Sequence, residues 1–430
     1  MRKHNDEGIK KSMPVAAIFL FALLVRINYN ITVARGYIPE YDAHQYNDIA
    51  LNLIREHCYC LIPHIQSIDR PPLWPYIIAA ISTIMGPENF YPRLFFCFTG
   101  AATCVIVYLF ARDIFNKRVA LLAGIIAAVY PGLFIYDGWL YTESLFTFCF
   151  TAFCYTLYRL QRTAQVRWMV LSGVALACAS LTRPNGALVL LLVIAWAVII
   201  AHAKIFSWRQ ATTSVLVIML LTLSLIAPWT LRNYRLSHQF ILVSTDSGTI
   251  LTGAYNDTAL YSAPDRGLWV GPARVEPLAA RNISYTPTWI REHLSSMPYL
   301  IGLHFINMWR PYTSEEGLPV REFPDRPASQ VVWMMMQITP IPLFVLAATG
   351  IIVTRKQWQH LLLPYLSILL TIIQCLVFYG SSRLRAPIEP MLVLLAAGAI
   401  WWLTQNEPGT LRWKRTRLIK KSGDEQLETN

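Results

Sequence analysis

Two carboxylates and a set of arginines are the residues of this sequence best suited to chemistry. Asp42 stands near the start of EYDAHQYNDIALNLIREH, where Tyr46, Ile49, Ala50, Leu53 and Ile54 recur at helical spacing. Four residues before Tyr46, Asp42 extends that apolar stripe. Asp48 lies about 240° around the helix and belongs to the solvated face. A carboxylate on a buried stripe either caps the helix or has a chemical task, and spacing alone leaves both open. Glu143, in YDGWLYTESLFTF, opens an apolar run at the level of Asp42. There it could complement the helix dipole, or share a proton, a divalent cation or a substrate hydroxyl with Asp42. Arg70 precedes two prolines that start the segment DRPPLWPY. A guanidinium beside a helix N-terminus suits phosphate, or it snorkels to lipid headgroups. Arg183 in LTRPNG, Arg232 in APWTLRNY, and Arg383 and Arg385 in SSRLRAP complete the rim, with Arg26 just inside the first apolar run.

The elements that must position these groups are membrane helices. The 430 residues are 55% hydrophobic and only 14% charged, with a mean hydropathy of +0.39. That excludes disordered, collagen-like, coiled-coil and disulfide-stapled secreted classes. Ten apolar runs are expected to span: Met13–Val33, Leu94–Ala111, Val119–Tyr136, Thr142–Tyr158, Trp168–Leu181, Gly186–Ala201, Ala211–Pro228, Val331–Val353, Leu361–Tyr379 and Pro387–Leu403. The first is too long for a cleaved signal peptide, and no small-residue cleavage site follows it. With the N-terminus in the cytoplasm, all nine lysines fall on that side. The net charge of +12 is thus a topology and headgroup signal, not a nucleic-acid one. Pro71–Met85 is refused as a span, because counting it would invert every later loop; it is expected to lie on the outer face.

Two long outer loops follow, 34–93 and 229–330, and a basic cytoplasmic tail, 404–430. The second loop carries the polar, turn-rich stretch STDSGTILTGAYND, and its amphipathic helix runs from Trp289 to Met308. Six cysteines, Cys97, Cys104, Cys149, Cys154, Cys178 and Cys375, read as inert packing thiols. Cys58 and Cys60 flank Tyr59 in the first outer loop, and no Cys/His spacing suits zinc. No repeat is evident.

The ordered series Asp42, RPPLWPY at Arg70, YPRL at Arg93, TESLF at Glu143, LTRPNG at Arg183, APWTLRNY at Arg232 and RLRAPIEP at Arg383 resembles bacterial glycosyltransferase family 39. That family is related to the protein O-mannosyltransferases and the lipid A aminoarabinose transferases. The resemblance implies a GT-C-type fold, an all-α bundle with two large extracytoplasmic loops carrying interfacial helices. The first loop would be catalytic and the second would face the acceptor. The implied reaction takes sugar from a polyprenyl-phosphate carrier to a glycan, lipid or protein acceptor outside the bacterial inner membrane. Asp42 matches the catalytic carboxylate, and Arg70 the basic residue that meets the carrier phosphate. The family often writes Asp-Glu where this chain has Asp42-Ala43, so Glu40 or Glu143 would stand in for the second acid.

The expected mechanism is inverting. Asp42, its pKa raised by burial, takes the acceptor proton, while Arg70 and some of Arg183, Arg232, Arg383 and Arg385 stabilise the leaving phosphate. No glycine-rich loop suits a sugar nucleotide, and no compact acidic cluster calls for a metal ion, although two carboxylates could share a divalent cation. A transporter or lipid flippase is the rival reading; it would favour repeated halves and charges nearer mid-membrane. A non-catalytic assembly subunit is a second rival.

Overall fold

The computed structural model describes residues 2–262, 266–271, 285–311, 322–323 and 326–403, without the side chains of 2–12, 246–249 and 326. The expected tail, 404–430, and parts of the second outer loop lie outside the described residues.

The first half runs α1 (Arg2–Ile31), α2 (Tyr41–Glu56), a short hairpin of β1 (Cys60–Ile62) and β2 (Ile65–Gln66), α3 (Leu73–Met85), α4 (Phe90–Ile114), α5 (Lys117–Val129) and the single turn α6 (Pro131–Phe134). It continues through α7 (Glu143–Thr163), α8 (Val166–Thr182), α9 (Val189–His202) and α10 (Trp208–Ser237). The stretch expected as the second outer loop contributes α11 (Asp246–Ala254), α12 (Asp257–Tyr261), α13 (Tyr285–Glu292) and α14 (Met297–Trp309). Then follow α15 (Arg326–Ile338), α16 (Pro340–Thr354), α17 (Trp358–Val377) and α18 (Glu389–Leu403). The protein is an integral membrane protein, all-α among the described residues apart from that hairpin.

All ten expected spans coincide with helix, but not each with one uninterrupted span. Among the described residues six stretches are long and apolar enough to cross a bilayer, with Pro327–Val377 counted as one, and seven if a bent pair is included. In that pair, 117–129 and 131–138, the axis turns by 68°. Tyr130 is extended there, as a residue before proline prefers, and Pro131 starts the next turn where its missing N–H costs nothing. Helix α7 is not among the six. It carries Glu143, several threonines and tyrosines, and is enclosed by neighbours on nearly every side. Helix α8 is 17 residues, short for a span.

Small residues set the closest approaches. A Cβ at Gly350 would collide with the Leu395 carbonyl, so this glycine lets α16 lie directly against α18. The apolar core divides in two. One cluster fills the bundle from Ile18 and Val107 to Trp196 and Leu395. A second, around Tyr37, Tyr46, Trp74, Phe96, Trp139 and Phe146, joins α2 and α3 to α1, α4 and α7 at one end of the bundle.

Within the second loop, 246–254 and 257–261 are helical where turns were expected. Asn256 caps the latter helix by accepting the Ala259 N–H. The amphipathic stretch 289–308 is broken at His293 by a 3-10 turn, with Trp289, Leu300, His304 and Met308 on its buried side.

Candidate active site

Helix α2 forms as its spacing implies, burying Ala43, Tyr46, Ile49 and Ala50. Asp42 lies in the first turn but is not the cap. Glu40 occupies that position, and no side chain caps the helix. Tyr41, which leads in, has a left-handed backbone at φ 47°.

Asp42 spends both oxygens on guanidiniums. Oδ1 accepts from Arg70 Nη2 at 2.8 Å, and Oδ2 accepts from Arg383 Nη2 at 3.0 Å. Arg70 is steadied by Gln45 Oε1 at 2.7 Å and faces the Tyr46 ring at 5.5 Å. Its backbone is fixed too, since the Tyr59 hydroxyl donates to the carbonyls of Arg70 and Pro71 at 3.0 Å. Arg383 sits in the 3-10 turn that leads into α18, and its Nε donates to Glu143 Oε1. Glu143, fully buried at the N-terminus of α7, also accepts from Arg183 Nη1 at 2.6 Å. Arg183 is delivered by the extended break between α8 and Pro184.

The result is a chain of alternating charge, Arg70–Asp42–Arg383–Glu143–Arg183, drawn from five separate segments. Helix α7 then runs on for roughly 30 Å to Arg159 and Arg162. The acid–guanidinium cluster and the basic end of that helix are therefore at opposite ends.

The structure reverses the expected direction of the Asp42 pKa shift. Burial does oppose ionisation, but Arg70 and Arg383 outweigh it and hold the carboxyl well below the usual carboxylate range. Its side chain keeps 28% exposure, which leaves the cluster open from one side.

Five of the seven expected site residues are thus brought together; Arg232 and Arg385 are not. Arg232 donates to the Ser67 carbonyl at 2.8 Å and Gln66 Oε1 at 2.6 Å, and packs over the Trp229 ring at 4.3 Å. It clamps the β-hairpin. Arg385 is fully buried, pairs with Glu389 at 2.7 Å and lies over Phe344. Glu40 is exposed, so Glu143 is the acid that shares a cation with Asp42. Asp48 is half-buried and pairs with His44 at 3.2 Å. Arg26 forms a buried pair with Asp137 at 2.8 Å. Cys58 and Cys60 are joined across Tyr59. Of the remaining cysteines, five are buried and Cys178 is half-buried. Among the described residues no three His, Cys, Asp or Glu side chains gather as a metal cluster.

Gln45, Tyr141 and Glu322 were not singled out from sequence. Gln45 follows Asp42 by three, so helical spacing could have found it. Tyr141 precedes Glu143 by two, and its ring lies 4.4 Å from the Arg383 guanidinium. Glu322 carries no local pattern at all.

Comparison with known proteins agrees with this architecture. Residues 69–231 match the family model described as dolichyl-phosphate-mannose-protein mannosyltransferase. That segment contains Arg70, Glu143 and Arg183. The archaeal oligosaccharyltransferase AglB of Archaeoglobus fulgidus, solved with an inhibitory peptide and a dolichol-phosphate, superposes with a TM-score of 0.57 at 13% identity. The match covers 91% of this chain and 50% of that one. The same enzyme tethered to an acceptor peptide gives 0.57 at 14%, over 93% and 51%. ArnT of Cupriavidus metallidurans bound to undecaprenyl phosphate gives 0.46 at 13%, over 90% and 77%. No curated protein matches the sequence. This chain spans about half the length of the oligosaccharyltransferase structures. The fold is that of the GT-C-type membrane proteins, and the resemblance read from the ordered motifs stands.

Proposed function

We propose that the chain is a membrane glycosyltransferase that moves a sugar from a polyprenyl-phosphate donor to an acceptor hydroxyl, on the extracytoplasmic side of a bacterial inner membrane. The observation that carries this reading is the shared placement of Asp42 between Arg70 and Arg383, with Glu143 and Arg183 behind. A half-open carboxylate flanked by fixed guanidiniums suits a phosphate and a nucleophile side by side. The oligosaccharyltransferase with the same fold was solved with a dolichol-phosphate, which supports a lipid-phosphate donor here.

The acceptor oxygen attacks the anomeric carbon opposite the phosphate. The bond from that carbon to the phosphate oxygen breaks, and configuration inverts. Asp42 receives the hydroxyl proton. Its low basicity in the unliganded pairing is relieved by the donor itself, because a phosphate that draws Arg70 and Arg383 toward it withdraws them from Asp42. Arg383 and Arg70 then hold the charge growing on the leaving phosphate. Glu143 and Arg183 fix where Arg383 points. The second outer loop faces the acceptor.

The test is transfer by purified protein in detergent, supplied with undecaprenyl-phosphate-linked sugars and an envelope extract, with products read by mass spectrometry. Asp42→Asn is expected to fold and to lose transfer by at least a hundredfold; near-normal turnover would remove Asp42 from the mechanism. A protein that moves lipid across proteoliposomes yet makes no glycosidic bond would be a flippase instead.

A further inference from the structure

The structure assigns Glu322, in the second outer loop, as a positioning residue that sets the placement of Asp42 and Arg383 through the backbone of residues 38–40 and through Tyr141. This rests on the carrier-phosphate reading above. Glu322 is almost wholly buried. Its carbonyl accepts the Ile38 N–H at 3.1 Å, and its Oε1 accepts the Tyr141 hydroxyl at 2.5 Å. The Tyr37 hydroxyl and the Glu40 backbone N–H also act on its carboxylate, while Oε2 accepts no hydrogen bond of good geometry among the described residues. The next residue, Phe323, stacks on Trp139 at 5.3 Å and meets Tyr37 at 6.3 Å.

Each contact leads to the site. Residues 38–40 run directly into the first turn of α2, which carries Asp42. Tyr141 stands two residues before Glu143 and supports the Arg383 guanidinium on its ring face. One carboxylate from the second loop therefore holds both walls of a cluster built by the first loop and the bundle. Packing alone would not select a carboxylate here, because a buried acid that meets only hydroxyls and N–H groups is costly. Its charge has a use. A carboxylate that accepts the Tyr141 hydrogen bond enriches the phenol ring and strengthens its hold on Arg383.

The groups that face Glu322 are Tyr37, Tyr141 and the carboxylate of Glu40, with Arg383 and Asp42 beyond Tyr141. Burial pushes its carboxyl up to about 7, aided by the Glu40 carboxylate and opposed by the Tyr141 and Tyr37 hydroxyls beside it. Glu322 is thus charged at pH 8 and mostly neutral at pH 6.

The probe is undecaprenyl phosphate bound to the full-length protein in detergent, with affinity followed by tryptophan fluorescence at pH 6 and pH 8. Glu322→Gln mimics the neutral acid. It is expected to weaken binding about tenfold at pH 8 and twofold or less at pH 6, where the native residue is itself neutral. Tyr141→Phe, which keeps the ring and removes the hydroxyl, should follow the same pattern. The packing control Phe323→Leu should shift both pH values alike. An unchanged affinity at pH 8, or a loss equal at both pH values, would overturn the assignment. Taking the ratio to wild type at each pH cancels the ionisation of the probe's own phosphate. If the folded wild-type protein bound no lipid phosphate at either pH, the carrier reading itself would fall, and this assignment with it.

Discussion

Arg383→Lys keeps the positive charge and removes the fork. In the native site Nε serves Glu143, Nη2 reaches Asp42 at 3.0 Å, and the guanidinium plane rests on Tyr141 at 4.4 Å. A lysine ammonium is a single point on a flexible stem and cannot meet both carboxylates while covering the ring. The fold should nevertheless persist, because Glu143 keeps Arg183 at 2.6 Å and Asp42 keeps Arg70 at 2.8 Å. Removing one partner of a buried pair costs about 3–5 kcal/mol. With charge retained and a second arginine in place, a loss of about 1–2 kcal/mol is expected, a melting point lower by a few degrees. Transfer should suffer more, since one fixed contact to the leaving phosphate is worth about 3 kcal/mol, roughly a hundredfold in rate. Melting in detergent and single-turnover sugar transfer measure the two effects separately. A lysine variant within threefold of wild-type turnover would show that bridging geometry is irrelevant, and the assignment of Arg383 would fail.

Arg70→Ala and Arg232→Ala should part company in the same assay. The first removes a guanidinium from Asp42 and is expected to cut transfer by at least a hundredfold, while the second loosens the hairpin clamp and should cost less than tenfold. Equal losses would contradict that division. Asp137→Asn strips the buried Arg26 of its counter-ion while keeping an oxygen that can accept from Ser144, so about 3 kcal/mol of stability should go. Gly100→Ala should lower the melting point as well, because a Cβ there would collide with the Asp137 carboxylate and the Arg26 guanidinium. Wild-type melting by both variants would refute a structural role for the pair.

The class of this protein follows from composition and hydrophobic run length, because bilayer-crossing helices satisfy their own backbone and advertise themselves as apolar segments. The stripe on α2 is equally local: the 3.6-residue repeat that buries Tyr46, Ile49 and Ala50 is written in the sequence. Arg70, Asp42, Glu143, Arg183 and Arg383 could be named as candidates, since charge at the end of an apolar run is rare and expensive. Their partnership could not be read. Asp42 and Arg383 are 341 residues apart and meet only because α2 and the turn into α18 pack at one end of the bundle. Arg232 and Arg385 carry the same kind of sequence signal, yet one is spent on a hairpin and the other on Glu389. The pKa of Asp42 went the opposite way from the burial argument, because burial is a property of one residue whereas two opposing guanidiniums are a property of the assembled fold. Glu322 shows the same limit most sharply. A lone acid in an unpatterned loop acquires a role only through neighbours at 37–40 and 141, which the chain brings to it from far away.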